Sequence, residues 1–179
     1  MISLEEYRVN FNESLKPLYD NREIDHILKL IVKSYFGWDS TFFALNKQKL
    51  LSKSEYNELK SVLILLKRGK PVQYILNESV FMGNLFYVNE SVLIPRPETE
   101  ELVGLILNQN SPTKENPLKV LDIGTGSGCI AISLVKFNPY FQVDAIDFSS
   151  QALSVARKNS KKMNVEINFK KTNILKLKK

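Results

Sequence analysis

The run Val120–Ile130, VLDIGTGSGCI, constrains this chain more than any other stretch. An apolar segment stops at Asp122. The backbone then passes three alternate glycines, Gly124, Gly126 and Gly128, before an apolar stretch resumes at Ala131, Ile132, Leu134 and Val135. A short strand feeding a glycine turn that opens a helix is the start of an α/β unit. The glycines let the backbone turn and approach a ligand, and the helix offers it a positive N-terminal end.

The α/β rhythm continues from there. The pattern predicts strand 119–123, helix 128–137, strand 142–147, helix 150–163 and strand 165–170. Strands separated by helices imply parallel βαβ units with right-handed crossovers. The turn departs from the dinucleotide spacing G-x-G-x-x-G, because its third glycine comes only two residues after the second. The second strand ends in Asp147, nineteen residues past Gly128, the place where a carboxylate meets ribose hydroxyls in such sheets. Three strands are few for a doubly wound sheet, so the sheet is expected to be unfinished, with an open edge.

The N-terminal part reads differently. A helix is expected over 4–15. Ile24, Ile27, Leu28, Ile31, Val32 and Tyr35 form one helical stripe, with Gly37 as its stop. Ser52 and Glu55 form a capping-box pattern ahead of a face of Tyr56, Leu59, Val62, Leu63 and Leu66, ended by Gly69 and Pro71. Residues 72–81 and 85–88, rich in Val, Tyr, Ile and Phe, read as a hairpin turning at Gly83-Asn84. A helix follows over 98–107 and a polar loop over 108–117. The organisation expected is a helical domain at 1–70, a hairpin linker at 71–91 and an α/β domain at 92–179.

Hydrophobic residues make up 44% of the chain and charged residues 25%, ordinary values for a globular protein. No apolar run approaches the ~18 residues of a membrane span, and the first residues lack a basic segment followed by an apolar one. The single cysteine, Cys129, allows no internal disulfide, so the cytoplasm is the expected location. Cys129 reads as a small buried residue and His26 as a structural or surface one, and no metal-ligand cluster is visible. The net charge of +6 comes in part from lysines between Lys158 and Lys179; because aromatic residues are not interleaved with them as in a base-stacking surface, these read as a solvated face.

The glycine turn with its acidic strand end resembles class I methyltransferases that use S-adenosylmethionine. Two further segments, VLIPRPETEELV (Val92–Val103) and PVQYILNESVFMGNLFYV (Pro71–Val88), narrow the resemblance to the protein-(glutamine-N5) methyltransferases of peptide chain release factors. The resemblance implies a Rossmann-like α/β methyltransferase sheet behind a helical substrate-engaging domain. It also implies S-adenosylmethionine as cofactor, and as substrate the glutamine of a release factor's Gly-Gly-Gln motif. The enzyme would act as a monomer on a protein, without contacting nucleic acid directly. Carried over by position, Gly124, Thr125, Gly126, Ser127 and Gly128 line the methionine and ribose side, and Asp147 takes the ribose. Phe148 packs beside the adenine, Asn173 and Ile174 meet the adenine edge, and Arg96, Pro97 and Glu98 sit at the mouth.

Two departures stand out. Asn173 replaces the family's Asp, and the family's catalytic Asn-Pro-Pro-Tyr is absent, so no catalytic residue is expected within the chain. The 179 residues are accordingly expected to be a truncated form, inactive in methyl transfer. Phe137-Asn138-Pro139-Tyr140 looks similar but falls between a helix and the next strand, where Asn and Pro make a turn. Two alternatives stay open: an RNA or DNA amino-group methyltransferase, and a non-catalytic release-factor-binding module.

Overall fold

The computed structural model describes residues 2–176. Lys178 and Lys179 of the basic C-terminal stretch lie outside them. The chain forms two compact units, 1–76 and 77–179.

The first unit is helical. Helix α1 (Leu4–Leu15) starts in a capping box of Ser3 and Glu6. Helix α2 (Asn21–Phe36) is capped by Asp20, whose carboxylate accepts from the Arg22 and Glu23 amides, and ends at left-handed Gly37. A short α3 (Ser40–Leu45), not foreseen in the sequence, is capped by Asp39. Helix α4 (Lys53–Lys67) has the expected Ser52–Glu55 box. Ile24, Ile27, Leu28, Ile31 and Val32 of α2 pack with Leu59, Val62 and Leu66 of α4 and with Leu4, Tyr7, Phe11 and Leu15 of α1. The Tyr7 hydroxyl donates to the Leu59 carbonyl at 3.0 Å, so the tyrosine is buried with its polar group satisfied. Two residues of the expected stripes lie outside the core. Tyr35 is 41% and Tyr56 38% exposed, because each sits at the rim of its helix face, where the phenol reaches water. Leu63 only packs against the core's margin.

Residues 72–76 are the clearest correction. They form a short helix, α5 (Val72–Leu76), within the first unit, not a strand of a linker. The hairpin is correspondingly shorter, β1 (Glu78–Phe81) and β2 (Asn84–Tyr87). Its two-residue turn is Met82-Gly83, with φ of 48° and 70°, and not Gly83-Asn84. Positive φ at both positions is what a tight hairpin demands. Met82 is held there from two sides: its amide donates to the Glu100 carboxylate at 2.7 Å, and the Asn84 side chain donates to its carbonyl at 2.8 Å. Phe81 and Phe86 join the core of the second unit, so the hairpin is part of that unit.

The rest of the second unit is the parallel α/β arrangement expected. Helix α6 (Pro97–Gln109) is followed by β3 (Leu118–Ile123), α7 (Cys129–Phe137), β4 (Phe141–Asp147), α8 (Ser150–Met163) and β5 (Asn168–Lys171). The strands pair in parallel in the order β3-β4-β5. The last strand begins three residues later than expected. Residues 165–167 continue the turn after left-handed Asn164, where the Val165 amide closes onto the Ser160 carbonyl. Val143 and Ala145 face a core shared with Ala131, Ile132 and Leu134 of α7. Their neighbours Gln142 and Asp144, with Leu121 and Ile123, point to the other face and are exposed.

Candidate functional site

The site is built where β3 and β4 end. The Gly124 and Thr125 amides both donate to the Ile146 carbonyl, at 2.8 and 3.0 Å, which anchors the glycine turn on the neighbouring strand. The Gly128 amide donates to the Thr125 carbonyl at 2.8 Å. Asp147, at the end of β4, is only 7% exposed. Its Oδ2 accepts from the Gly126 amide at 3.0 Å and its Oδ1 from the Ser149 amide at 2.9 Å. A carboxylate has about four acceptor positions, so two remain for a ligand's hydroxyls.

Gly124, Gly126 and Gly128 all have positive φ. At Gly128 there is a second requirement. A Cβ there would lie 2.9 Å from the Ile132 Cδ1 and 3.2 Å from the Ala156 Cβ, so α7 and α8 close onto the turn only around a glycine. Gly128 is also the N-cap of α7 and offers no side chain to cap that end, which leaves first-turn amides other than that of Ala131 available to an anionic or electron-rich group. Ser127 Oγ is buried with no hydrogen-bond partner of ordinary geometry; its neighbour the Cys129 thiol is a weak donor. Such an atom at a ligand turn fits a site that a bound molecule completes.

Asp122 lies beneath the turn, 8% exposed, and accepts from the Thr125 hydroxyl at 2.7 Å. Burial pushes its carboxyl above the usual value. Hydrogen bonds from Thr125 and the Ala131 backbone oppose that rise, and the Asp147 charge adds to it. Burial likewise raises the Cys129 thiol, which works against the reactive character a helix N-terminus can confer.

The structure brings Gly124 to Gly128 and Asp147 into one hydrogen-bonded cluster. The Thr172 amide donates to the Asp147 carbonyl at 2.9 Å, which carries Asn173 and Ile174 toward the same end of the sheet. The Asn173 side chain is engaged locally, accepting from the Leu175 amide at 3.0 Å. Phe148 is 74% exposed beside buried Asp147, an aromatic side chain open to solvent. Arg96, Pro97 and Glu98 form the exposed first turn of α6, joined to the glycine turn by no hydrogen bond among the described residues. Phe137 to Tyr140 form a turn before β4, where the Asn138 side chain accepts from the Tyr140 amide and donates to the Pro112 carbonyl. Six residues of β4, roughly 20 Å of strand, separate that turn from Asp147.

An open cleft of about 1090 Å³ lies elsewhere, among residues such as Lys119, Asp144, Arg157 and Asn168. It follows the exposed sheet face and β5, has no part in the glycine turn and gathers no constellation that could do chemistry. Among the described residues no group of His, Cys, Asp and Glu could hold a metal ion, and no helix is long and apolar enough to cross a membrane.

Sequence reasoning missed two residues of the site. Asp122 was visible only as the end of a strand. Asn159 follows Ala152, Val155 and Ala156 on the buried stripe of α8, and a polar residue on an apolar stripe is the signal that could have found it.

Residues 11–76 match the family described as PrmC N-terminal domain and residues 114–179 the family described as Methyltransferase domain. The release factor glutamine methyltransferase of Flavobacterium psychrophilum is 43% identical over 173 residues, covering 96% of this chain and 61% of that protein. The enzyme of the same name from Bacteroides thetaiotaomicron is 40% identical over 162 residues, covering 90% and 57%. That of Enterococcus faecalis is 45% identical over 133 residues, covering 74% and 47%. The chain thus spans about half to three-fifths of the length of these relatives.

Proposed function

We propose a function from the premise that the chain belongs to the release factor glutamine methyltransferase family. It binds S-adenosylmethionine at the glycine turn and serves transfer of the methyl group to the glutamine side-chain nitrogen of the Gly-Gly-Gln motif in peptide chain release factors. The observation that carries the reading is the turn Gly124–Gly128 held by buried Asp147, with free acceptor positions on that carboxylate and a helix end whose N-cap is a glycine beside it. Thr125, Ser127 and the three glycines would lie along the methionine and ribose, Asp147 would take the ribose hydroxyls, and Phe148, Asn173 and Ile174 would border the adenine. Arg96, Pro97 and Glu98 would stand at the mouth. When bound, the cofactor supplies an electrophilic methyl group on a sulfonium.

An amide nitrogen is a poor nucleophile, so this chemistry depends on holding the acceptor in line. The 179 residues contain no Asn-Pro-Pro-Tyr segment of the kind the family uses to do so. Their expected contribution is therefore cofactor binding by the second unit and engagement of the protein substrate by the helices of the first. We read the protein as a cytoplasmic monomer whose partner is a protein and not a nucleic acid.

The test is calorimetry on the 179-residue chain with S-adenosylhomocysteine and, separately, NAD. Binding of the former, weakened by about 1–3 kcal/mol in Asp147→Ala, is the expected result. Tight binding of NAD with none of S-adenosylhomocysteine would overturn it. A radiolabelled transfer assay on purified release factor should show no turnover by these residues alone, with a complete relative as positive control.

A further inference from the structure

We infer that Asn159 is a positioning residue of the cofactor turn, fixing one peptide plane within it and tying that plane to the hairpin. The inference rests on the proposal that the turn holds S-adenosylmethionine. Asn159 lies in α8, far from either end of the glycine run in sequence, and is completely buried. Its Nδ2 donates to the Ser127 carbonyl and to the Tyr87 carbonyl, both at 2.9 Å, and its Oδ1 accepts from the Tyr87 amide at 2.7 Å. Both donors of the amide are thus used, as a fully buried Asn requires.

The partners explain what these bonds do. Tyr87 is the last residue of β2, and both its backbone groups turn away from β1 toward Asn159. The side-chain amide therefore satisfies the hairpin's free edge much as a residue of a neighbouring strand would. The third bond reaches into the turn. The peptide joining Ser127 to Gly128 is held at its carbonyl by Asn159 and at its amide by the Thr125 carbonyl, 2.8 Å away. Gly128, with φ of 80°, borders that plane on one side, where the lack of a Cβ lets the backbone rotate more freely unless the plane is pinned. A pinned plane sets the direction of the turn's remaining amides and of the buried Ser127 hydroxyl, the groups a ligand there would read. Lys158 above the Tyr87 ring, 3.3 Å from its centre, and Lys162, donating to the Leu85 carbonyl at 3.1 Å, press the same strand onto α8.

The experiment uses the 179-residue chain with Asn159→Asp and Asn159→Ser, and Val143→Ala as a control that lowers stability from the same core without touching the turn. Asn159→Asp keeps the acceptor facing the Tyr87 amide and loses both donated bonds. Affinity for S-adenosylhomocysteine should fall about tenfold or more in both Asn159 variants, and stay within about threefold of the parent in Val143→Ala at matched loss of Tm. Amide resonances of Gly126, Gly128 and Tyr87 should shift together in the Asn159 variants and stay in place in the control. Equal losses of affinity in variants and control, or unmoved Gly126 and Gly128 resonances, would overturn the role. Failure of the parent chain to bind S-adenosylhomocysteine would instead sink the cofactor proposal, and the resonances alone would then decide whether Asn159 sets the turn.

Discussion

Substituting alanine at Gly128 and at Gly124 separates two costs that a glycine turn usually confounds. The two residues have nearly the same positive φ, 80° and 77°, so an alanine at either carries the strain of a left-handed φ, about 1 kcal/mol. Their surroundings differ. A Cβ at Gly124 meets nothing within 4 Å, whereas one at Gly128 meets Ile132 at 2.9 Å and Ala156 at 3.2 Å. Overpacking of that kind costs about 1–3 kcal/mol. Gly124→Ala should therefore destabilise the second unit by about 1 kcal/mol and Gly128→Ala by about 2–4 kcal/mol. The closer clash is with the Ile132 Cδ1, which valine lacks. Ile132→Val should cost about 0.5–1.5 kcal/mol in the parent and distinctly less in a Gly128→Ala background. The assay is denaturant unfolding followed by hydrogen exchange over α7 and β4. Trp38, the single tryptophan, lies in the first unit, so its fluorescence serves as an internal control that should not move. A Gly128→Ala variant no less stable than Gly124→Ala, or a strictly additive double variant, would refute the packing argument.

Other expectations are simpler to state. Ile31→Ala, emptying a fully buried position in the first unit, should cost about 2–5 kcal/mol and shift the Trp38 fluorescence transition while leaving the exchange of β3 and β4 unchanged. Asp122 titrates above its ordinary value in the folded chain, so the folded state holds the proton more tightly than the unfolded one. Its contribution is best below about pH 3.8 and declines as pH rises through the raised value. Asp122→Asn should remove that decline, so that the difference in Tm between parent and variant shifts in the variant's favour as pH rises above about 3.8; parallel profiles would count against it.

Much of this could be read from residues alone, and the failures have physical reasons. The βαβ series was legible because VLDIGTG and VDAID are apolar runs ending at an acid, and the intervening helices carry clear stripes. The Ser52–Glu55 box and the Gly37 stop were legible because caps are local chemistry. Val72–Leu76 misled because a short apolar run of β-formers has no period long enough to separate strand from helix. Packing of Val72 against the first unit's core decided it. The hairpin turn slipped by one residue because Gly83-Asn84 satisfies the local rule as well as Met82-Gly83 does. A distant carboxylate, Glu100, settles the choice. Asn159 escaped for the same reason: its three partners are 32 and 72 residues away, and no local pattern encodes them.

The strand order carries a consequence for the sequence of assembly. In β3-β4-β5 each strand docks on the one made just before it, across separations of 23 residues between Leu118 and Phe141 and 24 between Asp144 and Asn168. Each step closes only a modest loop, and no strand has to wedge between two already paired. The sheet can therefore accrete in the order of synthesis. The joint between Tyr87 and Asn159 spans 72 residues and cannot form before α8 exists, so the hairpin, although translated first, is not locked at Tyr87 until α8 is in place. During refolding, pulsed hydrogen exchange should find the amides of β4 protected before that of Tyr87. The reverse order would mean that the hairpin nucleates the sheet and not that it closes it.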